Sequence, residues 1–184
     1  MIPPFPIIWT LIWVIVPISI WLEDKGPIFY TQTRIGKNGK LFKIYKFRTM
    51  IVNAEQFGPV WAGKSDTRIT KVGKILRFTA LDELPQILNI LKNDMSFVGP
   101  RPLPLYNFDA DLKKLLKKRS LILPGLTGFS QINYTGIKRT YKQKFELDIY
   151  YVKNRNLKLY FLIIFKTFLI IYFRFKKNIK GQTL

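Results

Sequence analysis

The first 22 residues contain no charged side chain, in a chain whose formal net charge is +20. As a helix, residues 5–22 would extend roughly 27 Å, close to the roughly 30 Å of hydrocarbon in a bilayer. Tryptophan, which suits a membrane interface, recurs in this segment at Trp9, Trp13 and Trp21. Prolines lie in or beside it at Pro3, Pro4, Pro6 and Pro17. The pattern predicts a proline-broken membrane helix that enters and leaves on one face, with a buried core helix as the alternative.

Composition limits the chemistry of the rest of the chain. There is no cysteine and no histidine, which excludes disulfides, thiolate zinc sites and an imidazole base. Catalysis would therefore use carboxylate, tyrosine, lysine, serine or threonine, and any metal would be a hard cation such as Mg²⁺ on oxygen ligands. The excess of 31 Lys+Arg over 11 Asp+Glu indicates anionic partners: nucleic acid, acidic lipid headgroups or phosphorylated small molecules.

Strand and helix patterns alternate after the apolar segment, which predicts an α+β domain that is mostly helical. A turn signal at residues 37–40 between two strand patterns predicts a small β-hairpin. The predicted strands are residues 28–35 and 41–48. The predicted helices span residues 69–78, 83–92, 108–118 and 139–152. The predicted loops and turns lie at residues 51–66, where a short helix is also expected, and at 97–102 and 124–128.

A second apolar helix pattern covers residues 157–175. Three cations interrupt it at eight-residue intervals, which keeps them within one broad sector of a helix: Lys158, Lys166 and Arg174. A transmembrane helix is the alternative, but a central lysine would cost about 2.5–3.5 kcal/mol on insertion. We therefore predict an interfacial amphipathic helix. The predicted organisation is an anchor at 1–22, a catalytic domain at 23–156, and an interfacial helix with a basic tail at 157–184.

Two adjacent carboxylates, Asp82 and Glu83, stand out in so basic a chain. One interpretation is helix capping, with Asp82 as N-cap and Pro85 tolerated in the first turn. The other is chemical, because a carboxylate kept ionised at a helix start can hold a cation or attack phosphorus. The two interpretations are compatible, and neighbours on a helix point about 100° apart.

Basic residues around this pair are candidates for binding phosphate. Arg77 precedes Asp82 by five residues, and Arg101 lies between two prolines that fix its backbone. Lys46 and Arg48 belong to a strand in which basic and apolar residues alternate. The alternative for each is an ordinary surface charge.

Five motifs that occur in order resemble those of the bacterial sugar transferases, also called monotopic phosphoglycosyl transferases. The resemblance covers about residues 26–175. Each motif alone is weak, but the ordered set is highly specific: residues 42–50 (FKIYKFRTM), 81–86 (LDELPQ), 95–102 (MSFVGPRP), 124–128 (PGLTG) and 145–151 (FELDIYY).

The resemblance implies an enzyme that moves a sugar 1-phosphate from a nucleotide diphosphate sugar, UDP-linked in our prediction, to a polyprenyl phosphate such as undecaprenyl phosphate. It implies Mg²⁺ as cofactor, membrane lipids as partners, no nucleic acid, and a bacterial inner-membrane location with the catalytic domain facing the cytoplasm. By resemblance, Asp82 is the nucleophile and Glu83 helps to hold Mg²⁺. Asp148 matches a further acidic position and is a candidate metal ligand, while Arg77 and Arg101 would bind phosphate. The alternating strand, independently of the resemblance, adds Lys46 and Arg48 as candidates for binding substrate phosphate.

The sequence departs from the family pattern in three places. The chain starts at Met1, without the basic stretch that usually precedes the membrane helix. Leu123 stands where arginine is common, and Phe129 where tryptophan is frequent. Two other functions remain open from the residues alone: a non-enzymatic binder of nucleic acid or anionic lipid, and a degenerate family member that serves as a scaffold.

Overall fold

Helices dominate the described part of the chain, and the strands are short. The computed structural model describes residues 4–54, 66–133 and 139–179. The helices are α1 (Pro4–Asp24), α2 (Lys71–Thr79), α3 (Ile87–Leu91), α4 (Ala110–Arg119), α5 (Phe129–Ile132), α6 (Tyr141–Asn154) and α7 (Leu157–Ile179). The strands are β1 (Phe29–Ile35), β2 (Leu41–Phe47), β3 (Ser96–Val98), β4 (Leu103–Pro104) and β5 (Gly125–Thr127). This confirms a mixed, mostly helical fold with a small sheet.

The chain divides into two compact units. The first unit consists of Met1–Tyr30 and Lys46–Pro85, and the second of Thr31–Tyr45 and Gln86–Leu184. The boundary passes through the predicted hairpin, which is confirmed as β1 and β2. These strands are neighbours in a three-stranded sheet of order β2-β1-β4. Asn38 and Gly39, at φ 54° and 80°, make the left-handed turn between them.

Helix α1 is continuous from Pro4 to Asp24, with Pro17 inside it. The predicted break at a proline does not divide the helix into two. A proline removes one helical hydrogen bond, but the helix can continue past it. Across the described ranges, no helix has both the length and the apolar character needed to cross a bilayer. Insertion of α1 from one face of the membrane stays a prediction.

The core of the first unit joins α1, α2 and the end of β2. Val16, Ile20, Phe47 and Leu76 are buried together. Glu23, at the end of α1, accepts hydrogen bonds from the first amides of α2, at 2.6 Å from Lys71 N and 3.0 Å from the next. A carboxylate there satisfies amides that lack helical partners. The packed ends of these elements position the residues that follow α2.

The segment after β2 runs against the start of α2. The amide of Thr70, the N-cap of α2, donates to the carbonyl of Thr49 at 3.1 Å. Gly73 allows this approach, because a Cβ there would lie 2.1 Å from the Thr49 carbonyl oxygen. The loop prediction for residues 51–66 falls largely outside the described residues, as do the last residues of the predicted basic tail.

The second unit contains a parallel pair of strands that the sequence did not predict. Ser96 pairs with Gly125 and Val98 with Thr127. The predictions of a loop at 97–102 and a turn at 124–128 were therefore wrong where β3 and β5 lie. Three-residue strands give no recognisable alternation, and their pairing depends on contact between distant segments.

Helices α4, α6 and α7 agree with their predicted positions to within about four residues at each end. Ile163 of α7 is fully buried beside Val98 and Tyr151. Large aromatic side chains project from the rest of α7 into solvent, among them Phe161, Phe165, Phe168, Tyr172 and Phe173. The apolar surface fits the interfacial helix, whose membrane contact stays a prediction.

Candidate active site

The acidic pair lies in a short 3-10 helix, Leu81–Gln86, that follows α2. Ala80 ends α2 in the left-handed conformation at φ 59°, which turns the chain before the pair. Asp82 and Glu83 occupy the first turn, and Leu81 and Leu84 pack on the core of the first unit. The predicted helix over residues 83–92 is thus a 3-10 helix continued by α3.

Lys46 joins the two carboxylates. Its Nζ lies 2.7 Å from Glu83 Oε1, as a hydrogen-bonded ion pair, and 3.7 Å from Asp82 Oδ2. The three side chains are 18%, 13% and 19% exposed for Lys46, Asp82 and Glu83. Carboxylate oxygens from two consecutive residues therefore converge on one positively charged position that solvent still reaches. We call these three residues the dyad cluster.

Arg77, in the last turn of α2, is held by Thr49. The Arg77 Nε donates to the Thr49 hydroxyl at 2.8 Å, and Thr49 is almost fully buried. Because Nε is engaged, the orientation of the guanidinium plane is fixed while its terminal nitrogens keep further donors. Fixing the plane in this way is what a phosphate-binding arginine needs.

Arg48 has a different partner from the one predicted. Its guanidinium forms an ion pair with Asp24 and also bonds the carbonyl of Pro27, and its side chain is buried. Hydrogen bonding from Arg48 lowers the pKa of Asp24. These contacts attach the end of α1 to the residue after β2, so they favour a structural role. Phosphate binding by Arg48 gains no support from them.

Asp148 and Arg101 belong to the second unit. Asp148 Oδ2 accepts from Arg119 Nε at 2.8 Å and Nη2 at 2.6 Å, and both side chains are 3% exposed. Burial raises the pKa of Asp148, while the Arg119 guanidinium opposes that rise. Arg119 Nη2 also donates to the carbonyl of Arg101 at 2.8 Å. Asp148 thus supports the backbone of Arg101 through Arg119; metal binding by Asp148 stays a prediction.

The dyad cluster suits a metal that brings other ligands with it. Within the residues that the structure describes, no three acidic, imidazole or thiol side chains group together as a metal site. Magnesium commonly uses one or two carboxylates and completes its shell with substrate phosphates and water. Asp82 and Glu83 fit that mode, because their oxygens already face a single cation.

The sequence predicted Lys46, Arg77, Asp82 and Glu83 as candidates but did not predict the residues that bond the candidate side chains. Thr49, Asp24 and Arg119 each bond a predicted site residue. Nothing in the local pattern distinguishes Arg119 from the other basic residues of α4. Asp24 carried a weak signal, as one of only 11 acids in the chain.

Comparison with known proteins identifies the same region of the chain. The family profile described as "Bacterial sugar transferase" matches residues 4–174. A UDP-N-acetylgalactosamine-undecaprenyl-phosphate N-acetylgalactosaminephosphotransferase from Aeromonas hydrophila is 42% identical over 82% of this chain. A UDP-glucose:undecaprenyl-phosphate glucose-1-phosphate transferase from Klebsiella pneumoniae is 37% identical over 84%. An undecaprenyl-phosphate galactose phosphotransferase from Salmonella typhimurium is 39% identical over 82%. The match spans 36% of the length of each of these relatives.

Proposed function

Since the chain belongs to the bacterial sugar transferase family, we propose that it transfers a sugar 1-phosphate from a UDP-sugar to undecaprenyl phosphate and releases UMP. The relatives named above act on undecaprenyl phosphate by name. The reaction would initiate a bacterial polysaccharide or glycoconjugate. We place it at the cytoplasmic face of the inner membrane, with α1 and α7 as the lipid-contacting helices.

The dyad cluster is the observation that carries the proposal. Asp82 and Glu83 are adjacent carboxylates held beside an ammonium in a partly exposed position. Phosphoryl transfer depends on alignment and on neutralising charge, and it needs no imidazole. A carboxylate nucleophile beside fixed cations meets those requirements in a chain without histidine.

In the first step, an Asp82 carboxylate oxygen attacks the phosphorus that bears the sugar. The bond from that phosphorus to the bridging oxygen breaks, and its electron pair leaves with UMP. In the second step, an oxygen of undecaprenyl phosphate attacks the same phosphorus, and the Asp82 carboxylate is released. The product is the sugar linked to the lipid through a diphosphate.

The other residues hold charge and geometry. Glu83, with Asp82, would hold Mg²⁺, which supplies positive charge to the phosphate oxygens when bound. Arg77, oriented by Thr49, would bind a phosphate group of the donor. Arg101, whose backbone Arg119 supports in the second unit, stays a separate candidate for phosphate binding. Lys46 neutralises the carboxylates and contributes to phosphate binding.

The test is covalent capture by the full-length chain in detergent with Mg²⁺. UDP-sugars carrying N-acetylgalactosamine, glucose or galactose are offered singly, and intact mass is measured without lipid acceptor. A mass increase of one sugar phosphate that is lost on adding undecaprenyl phosphate supports the proposal. Asp82→Asn should abolish the adduct and lower transfer of labelled sugar phosphate into lipid at least about 10³-fold.

Asp111→Asn is the matched control, because Asp111 is fully solvent-exposed on α4 and undergoes the same change of group. It should form the adduct and transfer sugar like the wild type. An adduct that persists in Asp82→Asn would refute the nucleophile. Transfer without any adduct would refute the two-step route.

A further inference from the structure

Lys46 occupies the position at which a divalent cation would meet the dyad. We infer that its ammonium is an exchangeable counter-ion, which neutralises Asp82 and Glu83 in the resting protein and moves to a donor phosphate when the metal arrives. The inference rests on the proposed function, because that function supplies the metal and the phosphate. It assigns Lys46 two successive partners.

The distances make simultaneous occupation unfavourable. Lys46 Nζ is 2.7 Å from Glu83 Oε1 and 3.7 Å from Asp82 Oδ2, so it takes up space beside the oxygens that would ligate a metal. Ligand distances for Mg²⁺ are about 2.0–2.1 Å. An ammonium and a divalent cation sharing those oxygens would also repel each other strongly. We therefore expect the ammonium to move away when a metal binds these oxygens.

The location of Lys46 allows it to move. Its backbone is fixed in β2, one residue before the buried Phe47, while its ammonium ends a flexible four-carbon stem. The side chain is 18% exposed, so solvent, metal and phosphate can approach. The pair is also far less enclosed than that of Arg119 with Asp148, whose side chains are both 3% exposed.

In this exchange, Lys46 neutralises the carboxylates first and the donor phosphate afterwards. Before substrate binds, the ammonium reduces repulsion between adjacent carboxylates. After metal binding, the carboxylates no longer need it, and the donor adds phosphate oxygens that attract it. No covalent bond changes in this exchange, which only redistributes ion pairs.

The first experiment measures divalent-cation binding without substrate. Mn²⁺ replaces Mg²⁺, because it prefers the same oxygen ligands and free Mn²⁺ is quantified by electron paramagnetic resonance. Full-length wild type is compared in detergent with Lys46→Met, which keeps the stem and removes the charge. We expect Lys46→Met to bind Mn²⁺ at least about tenfold more tightly, because the competing ammonium is gone. Equal or weaker binding, or no Mn²⁺ binding by either protein, would overturn the inference.

Lys43→Met is the matched control. Lys43 precedes Lys46 by three residues on β2, so its side chain lies on the opposite face, and it is exposed. The same loss of charge should leave Mn²⁺ affinity within about twofold of wild type. An equal gain in Lys43→Met would show a general effect of net charge and would also overturn the inference. If tryptophan fluorescence shows that Lys46→Met does not fold, Lys46→Gln replaces it in the comparison.

The second experiment repeats the titration with saturating UDP. In the wild type, UDP should tighten Mn²⁺ binding partly by attracting the released ammonium, so the gain should exceed that in Lys46→Met by at least about threefold. Equal gains would overturn the movement of Lys46 to phosphate. Adduct formation with unchanged Mn²⁺ affinity in Lys46→Met would leave the proposed function intact and overturn only the exchange. Tighter Mn²⁺ binding by Lys46→Met, without an adduct from any donor, would support the competition between Lys46 and the metal and would overturn the proposed function.

Discussion

The two units of the molecule each contain a cluster of cations and carboxylates, and the clusters differ in burial and in stoichiometry. In the second unit, Arg119 forms two hydrogen bonds to a single oxygen of Asp148, with both side chains 3% exposed. In the first unit, one ammonium serves two carboxylates that remain partly exposed. A buried one-to-one pair is suited to holding structure, whereas the partly exposed cluster, with two acids for one lysine, is where we propose that a further cation binds. The comparison suggests that burial and the ratio of cations to carboxylates separate a structural ion pair from a candidate active-site cluster.

The largest expected effect breaks the buried pair. Arg119→Met should lower the free energy of unfolding by about 3–5 kcal/mol, because it leaves the Asp148 carboxylate buried without its partner. Chemical denaturation in detergent measures the loss. The double variant Arg119→Met/Asp148→Leu should recover most of it, since both charges are then removed.

The same measurement on the dyad cluster sharpens the contrast. Lys46→Met/Glu83→Gln should show a coupling energy below about 1 kcal/mol in a double-mutant cycle for stability. Asp111→Asn, in the exposed pair with Lys114, should change stability by less than about 0.5 kcal/mol. A coupling in the dyad cluster as large as that of Arg119 with Asp148 would remove the distinction between the clusters.

A loss of about 2 kcal/mol at neutral pH, smaller than that for Arg119→Met, is expected for Asp24→Asn, which leaves the buried Arg48 without its carboxylate. The loss should depend on pH. Hydrogen bonding to Arg48 puts the pKa of Asp24 in the folded chain below its ordinary value of 3.8. The stabilisation is therefore complete above 3.8 and disappears as pH falls through the lower folded pKa. Thermal unfolding of wild type and variant should differ most at neutral pH and converge in acid; a constant difference would contradict the assignment.

A further prediction concerns the orientation of Arg77. Thr49→Val removes the hydroxyl that accepts from Arg77 Nε while keeping the branched shape of the side chain. We expect transfer of sugar phosphate to fall about tenfold, mainly through KM for the nucleotide sugar, because the phosphate contact is less well oriented. Thr49→Ser should restore most of the activity. Thr31→Val, at an exposed position of β1, should have no effect. A loss in Thr49→Val that Thr49→Ser does not recover would indicate damage to packing instead.

The sequence was most informative where local pattern determines structure. Helices α2, α4, α6 and α7 and the hairpin followed from periodicity and turn residues, which act over a few neighbouring positions. The pairing of β3 with β5 was missed because it depends on residues near 96 and 125 approaching closely. Gly125 makes the approach possible, since a Cβ there would lie 2.0 Å from the amide nitrogen of Gly99.

The sequence predicted candidate site residues but not their contacts. Asp82 and Glu83 stood out because acids are scarce; Arg77 became a candidate from its place five residues before Asp82, and Lys46 from the alternating strand. The ion pair of Lys46 with Glu83 joins positions 37 residues apart, and no local rule predicts it. For the same reason, the sequence could not distinguish the role of Arg48, which forms an ion pair with Asp24 of α1, from that of Lys46 two residues earlier.

The glycine at position 73 has a consequence for any effort to redesign this protein. It stands one helical turn before Arg77, and the carbonyl of Thr49 occupies the volume that a methyl group would need. Adding a single carbon there would push the whole helix outward and carry the guanidinium with it. The position of Arg77 therefore depends on the absence of a Cβ at residue 73, and replacing Gly73 by any larger residue should be avoided in redesign.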